Sequence, residues 1–459
     1  MKIAVVGSGI SGLAAAHTLQ TEGAGAYDVT LFEAGDYFGG HTHTVDVTLP
    51  TAAGPVSHGV DTGFLVFNER TYPTLIALFE SLGIETAKSD MSFSVQVNAT
   101  EQEGALEWSG TSLGAVFAQR RNLVNGRFLR MLRDVLRFNA LCTQLASSGS
   151  DAQLGQPLGI FLRQHRFSRA FCDWYFLPMV ACIWSCPTAQ MLQFPVDTLI
   201  RFCHNHGLLQ IRNRPQWWTV SGGARRYVDA ITARIADKRL AAKVTRVERI
   251  ARQPGSGTGG EVQITVNGAL ERFDKVILAT HADQALAILQ HPTPFEIRTL
   301  GAFRFQTNRA VLHTDESVLP TRKTAWAAWN HEHAPSSPSP HGHTEHQAPR
   351  ESPPNAVCLH YLINRLQPLP WSQSVVVSLN PLRAIAAQHV LGDYEYAHPV
   401  FDAAAVKAQR HMPWLQGQQN TWYCGAWMGY GFHEDGLKAG VAAARQVMGR
   451  LSAPTGVMP

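Results

Sequence analysis

The order of apolar and polar positions near the start of the chain predicts a strand, a turn and a helix. Ile3 to Val6 form a short apolar run typical of a buried parallel strand. A glycine-rich turn follows, and from Leu13 to Leu19 the chain continues as an alanine-rich helical pattern. A second run rich in β-forming residues extends from Tyr27 to Phe32. This order predicts a βαβ unit, and therefore an α/β fold with a parallel sheet.

The turn between the first strand and the helix reads VVGSGISGLAAA and has the glycine spacing of a dinucleotide-binding loop. Gly7 permits a tight turn, Gly9 lets a pyrophosphate approach the backbone, and Gly12 lets the helix pack closely on the strand. Glu33 lies 21 residues after Gly12, where an acid hydrogen-bonds the ribose hydroxyls. Amides at the helix start then face the phosphates. The sequence therefore predicts a dinucleotide site for a ligand without a 2′-phosphate.

Three further segments resemble the flavin-dependent amine oxidase superfamily, which includes protoporphyrinogen oxidases and phytoene desaturases. They read AGDYFGGHTHTVDV directly after Glu33, FDKVILATHADQAL from Phe273 onward, and WYCGAWMGYGFHEDGLKAGVAAA near the C-terminus. The resemblance implies that the dinucleotide is FAD. It also implies an α/β fold in which a Rossmann-like FAD-binding domain of the glutathione-reductase type carries an inserted α+β substrate domain.

The resemblance also implies which residues contact FAD. His41 replaces the arginine that usually follows the Gly39-Gly40 pair, and Ala426 stands where an acidic residue is common. No cysteine occupies the place used by covalently flavinylated members, so we expect non-covalent FAD. The expected cofactor-binding residues are Gly7, Gly9, Ile10, Ser11, Gly12, Glu33, Ala34, Gly39, Gly40, His41, Thr44, Gly63, Phe64, Val244, Gly425, Ala426, Glu434 and Leu437.

Hydride transfer by a flavin needs a substrate carbon held over the reactive ring in a dry pocket, and little further acid-base chemistry. Tyr430 and Phe432 lie within the C-terminal flavin motif and are predicted pocket walls, although core packing around the cofactor also places aromatic residues there. His433 and Glu434 are candidate proton-transfer groups. A carboxylate at this place can instead hold backbone amides. We predict no metal site.

The positions of these segments predict a discontinuous FAD-binding domain made of residues 1–75, 215–290 and 415–459. The intervening residues, 76–214 and 291–414, then form the substrate domain. Within it, residues 331–355 hold five histidines among prolines and serines. This low-complexity composition predicts a disordered loop. Metal binding there should be weak, because flexible prolines do not preorganise ligands.

Length and composition narrow the class of protein. The chain has 459 residues, of which 45% are hydrophobic and 16% charged, and its net charge is +4. These values fit a globular protein of two or three domains and not a nucleic-acid binder. The longest apolar stretch contains Asp173 and Pro178 and is too short to span a bilayer. Met1 leads directly into the first strand, so we expect no signal peptide. Seven cysteines without disulfide spacing favour a cytoplasmic protein.

Residues 120–145 predict a basic amphipathic helix. Arg130, Arg133 and Arg137 share one face through their i, i+3 and i+7 spacing. The opposing apolar stripe is expected at Leu129, Leu132, Leu136 and Leu141. Such a helix can lie on a membrane surface, here the inner face of the membrane, and an ordinary solvated surface helix is the alternative.

The segments HGVDTGFLVFNERTYPTLIALFESLGIE, AVLHTDESVLP and INRLQPL are similar to a bacterial subgroup of predicted NAD/FAD-binding, amine-oxidase-like proteins. The same module resembles the flavin domain at the N-terminus of plant cyclopropane fatty acid synthases. This resemblance implies an FAD-dependent oxidoreductase that transfers hydride to or from an acyl lipid. Two alternatives stay open: a soluble amine oxidase, and a flavin-binding accessory protein that serves a lipid-modifying enzyme without turnover of its own.

Overall fold

The computed structural model describes residues 1–99, 104–148, 155–210, 214–250, 260–333 and 357–451. Its strands are β1 (Lys2–Val6), β2 (Asp28–Phe32), β3 (Thr44–Thr51), β4 (Gly54–Asp61), β5 (Phe67–Asn68), β6 (Thr86–Ser89), β7 (Phe93–Val97), β8 (Leu106–Ser109), β9 (Trp217–Val220), β10 (Asp237–Arg239), β11 (Val244–Ile250), β12 (Glu261–Val266), β13 (Ala269–Phe273), β14 (Lys275–Leu278), β15 (Arg304–His313), β16 (Trp329–His333), β17 (Cys358–Leu362), β18 (Val376–Leu379), β19 (Val390–Val400) and β20 (Thr421–Tyr423).

Helices connect these strands and gather mainly in the middle of the chain. The α-helices are α1 (Ile10–Glu22), α2 (Pro73–Leu82), α3 (Leu113–Val116), α4 (Gly126–Ser148), α5 (Leu158–Gln164), α6 (Arg169–Phe171), α7 (Leu177–Trp184), α8 (Thr188–Met191), α9 (Val196–Asn205), α10 (Arg225–Thr232), α11 (Ala282–Ile288), α12 (Pro294–Leu300), α13 (Ile363–Leu366), α14 (Ala403–Gln409) and α15 (His433–Val447). A π-helical turn, Cys172–Phe176, joins α6 to α7. Short 3₁₀ turns cover Arg120–Leu123, Glu316–Val318, Lys323–Ala325, Ala387–His389, Met412–Trp414, Gln418–Asn420 and Ala426–Met428.

The first sheet is parallel and has the order β10, β2, β1, β14, β20. Its central strand β1 is buried on both sides, since Ile3, Ala4 and Val5 are inaccessible to solvent. The predicted βαβ unit is therefore confirmed, with β1, α1 and β2 as its parts. Strands from three distant parts of the chain build this sheet, and an antiparallel sheet of β11, β12 and β13 precedes β14. The α/β fold class is as the sequence predicts.

The second large sheet has seven strands in the order β19, β15, β18, β17, β16, β7, β8. Its pairs are antiparallel except for β16 and β7, which run parallel. Helices α4 to α9 pack with this sheet around one hydrophobic core, to which Phe128, Phe171 and Phe202 contribute. This α+β part corresponds to the inserted substrate domain, while the predicted domain boundaries stay predictions.

Helix α4 buries a different face from the one that the sequence suggested. Leu129 and Leu136 are exposed, whereas Phe128, Met131 and Phe138 are buried against the core. The expected apolar stripe is therefore wrong at Leu129 and Leu136. The three buried residues recur at helical spacing of their own. Phe128 and Phe138 lie one and two positions from the exposed Leu129 and Leu136, and each position corresponds to a rotation of about 100° around a helix.

The histidine-rich segment begins later than the predicted loop. His331 to His333 end strand β16, where they pair with β17 and β7, so these three residues are not part of a loop. The rest of the predicted disordered segment, residues 334–355, lies outside the described residues.

All seven cysteines are free thiols, in agreement with the sequence. Within the described ranges, no helix combines the length and the apolar character needed to cross a bilayer.

Helix α15 returns the end of the chain to the first helix, and two glycines permit a close approach. A Cβ atom on Gly440 would lie 2.1 Å from the carbonyl oxygen of Ser11, and one on Gly436 would lie 2.8 Å from Ile10 Cγ2. Gly12, in the first turn of α1, is equally restricted, because a Cβ there would clash with the Gly7 carbonyl oxygen. The first and last helices therefore pack backbone to backbone beside β1.

We predict that Gly440→Ala destabilises the protein by about 3 kcal/mol, because overpacking at a site without space forces the backbone to move. Gly126→Ala is the matched control, since nothing lies within 4 Å of a Cβ at the start of α4. That control should leave stability unchanged or raise it by up to about 1 kcal/mol. Urea unfolding followed by circular dichroism measures both variants. Equal stability of Gly440→Ala and wild type would contradict the close packing of α1 and α15.

Candidate active site

A cavity of ≈ 690 Å³ lies between the parallel sheet and the substrate domain. It extends from Glu33 and Val244, past the glycine turn after β1, to Phe432 and Phe202 of α9. Its volume is within the range of about 300–1,000 Å³ found for small-molecule sites. We call it the main cavity, with a nucleotide end at Glu33 and Val244 and a substrate end at Phe432 and Phe202.

The glycine turn has the geometry that a pyrophosphate needs. Gly7 adopts a φ of +100°, which turns the chain sharply after β1. Nothing lies within 4 Å of a Cβ on Gly9, so this backbone borders open space in the main cavity. Gly9 is also the N-cap of α1 and provides no side-chain cap, so the first amides of the helix can donate to an anion. Ile10 and Ser11 line the same place, whereas Gly12 lies behind it and packs on Gly7.

Glu33 lies at the end of β2, beside the glycine turn. Its Oε2 accepts hydrogen bonds from the backbone amide (3.0 Å) and the hydroxyl of Ser8, and its Oε1 accepts one from the amide of Gly35 (2.8 Å). A carboxylate has about four acceptor positions, so capacity remains for ribose hydroxyls. Ala34 and Val244 line the cavity beside Glu33. This end fits the adenosine half of a dinucleotide.

The turn Gly39-Gly40 closes over the glycine loop. Gly39 donates its amide to the carbonyl of Ser8 (3.1 Å) and has a φ of +122°, and Gly40 has a φ of +58°. A Cβ on Gly40 would lie 3.2 Å from Gly9 Cα, so a larger residue would press on the loop. The two glycine segments therefore form one backbone-lined cradle, which suits a pyrophosphate.

His41 follows this cradle and belongs to a histidine cluster that the sequence did not reveal. Its ring centroid lies 5.2 Å from that of His398 and 6.3 Å from that of His281, and all three rings line the main cavity. Burial, followed by the neighbouring histidines, holds the pKa of His41 well below its usual range. His41 is therefore neutral at physiological pH and does not replace the permanent charge of an arginine.

The far side of the cradle is lined by Gly63, Phe64, Gly425, Ala426 and Phe432, which come from two distant segments. The aromatic ring of Phe432 stacks on Phe202 with a centroid distance of 5.0 Å. Flat aromatic and glycine surfaces at this point suit the ring system of a flavin. The predicted contacts in these segments thus lie on one continuous surface.

His433 lines the cavity at the start of α15, but it is not an acid. Its Nε2 lies 2.9 Å from Thr42 Oγ1 and 3.0 Å from the Tyr227 hydroxyl, and its ring stacks on Phe64 at 3.7 Å. Burial lowers the pKa of His433 to about 3. The ring is therefore neutral at physiological pH and holds the wall in place, so the geometry does not favour a role as proton donor.

Besides Gly12, four predicted site residues do not line the main cavity. The carboxylate of Glu434 accepts the amides of Thr74 (3.0 Å) and Leu75 (2.9 Å), so it caps helix α2. Leu437 is buried in the core beside α1. Thr44 donates to Asp61 and accepts from the amide of Arg225, which holds β3 to α10.

Tyr430 is the fourth of these residues. It lines a smaller neighbouring cavity of ≈ 320 Å³ with Trp184 and Asp197, and its carbonyl accepts the indole N–H of Trp184 at 3.2 Å. The expected pocket wall is therefore Phe432 and not Tyr430. The two residues point into different cavities because Gly431, with a φ of +93°, reverses the chain between them.

The substrate end of the main cavity consists of residues that sequence reasoning did not identify. They come from the loop after β6, from α7 and α9, and from strands β9, β16 and β17. The main members are Met91, Ile183, Phe202, Trp217, Trp329 and Tyr361. Within the described residues, Glu33 and Lys243 are the two charged side chains of the whole lining, and both belong to the nucleotide end. The substrate end is therefore apolar and carries no formal charge.

His206, just after α9, is one of the polar residues at this end, together with Ser185 and Tyr361. Its ring stacks on Phe202 at 3.9 Å, and its Nδ1 lies 3.0 Å from the Phe202 carbonyl oxygen. A carbonyl only accepts, so Nδ1 carries the proton and Nε2 remains an acceptor. Burial lowers the pKa of His206 to about 4, which keeps the ring neutral. Nε2 of this imidazole therefore offers a hydrogen-bond acceptor without placing a charge in the cavity.

A separate polar cluster lies in the substrate domain, away from the main cavity. Nε2 of His360 is 3.0 Å from Glu332 Oε2 and 3.5 Å from Cys358 Sγ, and its Nδ1 is 2.6 Å from Ser378 Oγ. These atom types can bind a metal ion. In the structure they are partners of one another in a buried hydrogen-bond network, and the predicted absence of a metal stays a prediction.

We predict that Glu33→Ala weakens FAD binding by about 10-fold to 150-fold, because a hydrogen bond to a charged group contributes about 1.5–3 kcal/mol. Asp36→Ala is the matched control, since Asp36 is an exposed acid three residues away that does not line the cavity. Equilibrium dialysis with FAD measures both. An unchanged dissociation constant for Glu33→Ala would show that other groups hold the ribose.

Comparisons with known proteins agree with this geometry. Residues 10–448 match the model of the family "Flavin containing amine oxidoreductase". No curated protein matches the chain in sequence. Solved structures match it along nearly its whole length at low identity, which shows the shared fold alone. They include a conjugated-linoleic-acid (CLA) producing fatty acid isomerase from P. acnes (TM-score 0.62, 16% identity, 97% of this chain and 98% of that chain).

Two amine oxidases have the same fold. Cyclohexylamine oxidase from Brevibacterium oxydans matches with a TM-score of 0.62, 16% identity and coverage of 97% of this chain and 98% of that chain. Putrescine oxidase bound to putrescine matches with a TM-score of 0.63, 14% identity and coverage of 98% and 100%. The family match spans most of the chain, and the glycine cradle fits FAD. The chain therefore belongs to the flavin-containing amine oxidoreductase family and is an FAD-dependent oxidoreductase.

Proposed function

We propose that the protein is an FAD-dependent oxidoreductase that acts on a lipophilic substrate, an acyl lipid. FAD, when bound, supplies the two-electron chemistry of this family. The residues of the chain supply the cradle for the nucleotide, the wall beside the ring, and the chamber for the substrate. The observation that carries the proposal is the apolar, uncharged substrate end of the main cavity.

Burial of an acyl chain in this chamber is favourable. About 25 cal/mol is gained for each Å² of apolar surface removed from water. Ile183, Phe202 and Trp217 offer aliphatic and aromatic surface for such a chain, and Trp329 and Tyr361 extend it toward the seven-stranded sheet. Exclusion of water by these side chains also provides the dry environment that hydride transfer requires.

An amine substrate lacks a suitable partner in the same chamber. A buried ammonium group is costly unless a carboxylate or several acceptors pair with it. The described lining offers no carboxylate near Phe432, because Glu33 lies at the nucleotide end. The neutral imidazole of His206 can accept one hydrogen bond from an ammonium group, but it carries no negative charge to balance it. The electrostatics therefore support an acyl lipid better than a protonated amine.

The solved structures are compatible with either substrate class. The shared fold hosts a fatty acid isomerase as well as cyclohexylamine and putrescine oxidases. Identity of 14–16% does not carry a substrate from one chain to another. The fatty acid isomerase does support the proposal in one respect, since it indicates that this fold can accommodate an acyl chain.

We predict that anaerobic mixing of the FAD-loaded protein with membrane phospholipids changes the visible absorbance of the flavin, whereas aliphatic mono- and diamines do not. Phospholipid conversion is followed in parallel by mass spectrometry, because an isomerisation leaves no net bleaching. Bleaching by soluble amines together with inert lipids would contradict the proposal and favour an amine oxidase. No response to any substrate, with both flavin faces covered by protein, would favour the accessory role.

Ile183→Glu tests the uncharged chamber directly. We predict at least a 10-fold loss of the lipid response with unchanged FAD binding, because a carboxylate at the substrate end must be desolvated when an acyl chain enters. Ile160→Glu is the matched control: Ile160 is 37% exposed on helix α5, away from the cavity. An unaltered lipid response in Ile183→Glu would place the substrate elsewhere.

A further inference from the structure

The region around helix α4 exposes large apolar side chains that a water-facing surface rarely shows together. Val124 is 86% exposed and Leu113 is 81% exposed. Leu136, Leu123 and Leu129 follow at 56%, 53% and 42%. All five lie between residues 113 and 136, on α3, on the turn before α4, or on α4 itself. Single exposed leucines are ordinary, but a set of five in one region indicates a contact surface.

The same region is strongly basic. Residues 113–148 contain six arginines and one acidic residue, Asp134. Asp134 is buried, where it pairs with Arg137 (3.2 Å) and accepts the amide of Ser168 (2.9 Å). Arg120, Arg130 and Arg133 are exposed, and none has an ion-pair or hydrogen-bond partner for its side chain in the described part of the chain. This positive charge is therefore available to a partner.

Packing holds this surface in place. The opposite face of α4 is fixed in the core by Phe128, Met131 and Phe138, which are at most 2% exposed. The guanidinium of Arg137 lies over the ring of Phe167 at 4.3 Å, which secures the C-terminal half of the exposed face. Leu129 and Leu136 share one edge of that face with Arg133, because their positions are seven residues apart on a helix of 3.6 residues per turn. Cations and apolar side chains are thus presented side by side.

We propose that these residues form a docking surface for an anionic lipid bilayer. We call it the α4 surface, and it consists of Leu113, Leu123, Val124, Leu129 and Leu136 with Arg120, Arg130 and Arg133. Arginines pair with lipid phosphates, while leucine and valine side chains enter the boundary between headgroups and acyl chains. A nucleic acid would use the arginines but would leave the five apolar side chains in water, so the combination favours a bilayer.

The α4 surface lies two helices from the main cavity. The inner face of α4 packs against α9, and α9 carries Phe202 of the substrate end. A protein docked in this way would hold its chamber close to the membrane. The α4 surface and the proposed substrate rest on different residues, so either can fail without the other.

Vesicle co-sedimentation of the FAD-loaded protein tests the α4 surface. We expect strong binding to vesicles of phosphatidylcholine mixed with phosphatidylglycerol, weak binding to phosphatidylcholine alone, and a decrease with added salt. The double variant Arg130→Gln/Arg133→Gln should bind about 30-fold more weakly, which corresponds to about 1 kcal/mol for each cation near an anionic surface. The matched control Arg234→Gln/Arg298→Gln removes two exposed cations elsewhere and should bind as wild type.

The apolar part is tested by Leu123→Ser/Val124→Ser. We expect at least a 10-fold loss of binding that added salt does not reproduce, since insertion of apolar side chains is insensitive to salt. Ile297→Ser is the control, because Ile297 is 50% exposed on α12. Retention of FAD and an unchanged unfolding midpoint verify that each variant is folded.

Three outcomes would overturn the proposal. The first is wild-type binding that does not depend on anionic lipid, and the second is equal binding of the arginine variant and its control. The third is a protein that does not bind vesicles but binds DNA in a salt-sensitive way, with the same affinity in wild type and in Leu123→Ser/Val124→Ser. The last outcome would assign the α4 surface to a polyanion. None of these measurements uses turnover, so a failed substrate test does not affect them.

Discussion

The fold depends on the contact between the backbones of α1 and α15 beside strand β1. Gly12, Gly436 and Gly440 leave no room for a side chain, so the first helix lies against the glycine turn and the last helix lies against the first. This contact brings Gly425 and Phe432, more than 400 residues from the glycine loop, to the same cavity as Gly9. A site assembled from both ends of a chain requires a fixed contact between those ends. Glycines provide it here, because they let the two helix backbones pack closely.

The division of charge along the main cavity gives the site its chemical character. The nucleotide end combines the start of α1, the carboxylate of Glu33 and a cluster of neutral histidines, all of which suit a ribose and a pyrophosphate. The substrate end is mainly aromatic and aliphatic, and the imidazole of His206 there is held neutral by burial. A gradient from polar to apolar within one cavity lets a charged cofactor and a lipophilic substrate meet without an unpaired charge between them.

Sequence reasoning was most successful where local chemistry determines local structure. Gly7, Gly9 and Glu33 could be placed because a strand, a tight turn and a helix start require particular residues at fixed spacing. It was less successful where long-range packing determines which way a side chain points. Glu434 faces α2 and Tyr430 faces a second cavity, because the register of α15 and the reversal at Gly431 cannot be read from neighbouring residues. The substrate end, gathered from six segments, and the exposure of Leu129 and Leu136 on α4 carried no local signal for the same reason.

The central claim is that FAD and an apolar substrate chamber share one cavity. A crystal structure of the FAD-loaded protein tests this claim most directly. The account predicts a pyrophosphate against Gly9 and Ile10, and a flavin ring beside Phe64 and Phe432 with one open face toward Phe202. It also predicts that no carboxylate lies across that open face. A flavin ring with both faces covered by protein, or one that faces an acidic side chain, would contradict it.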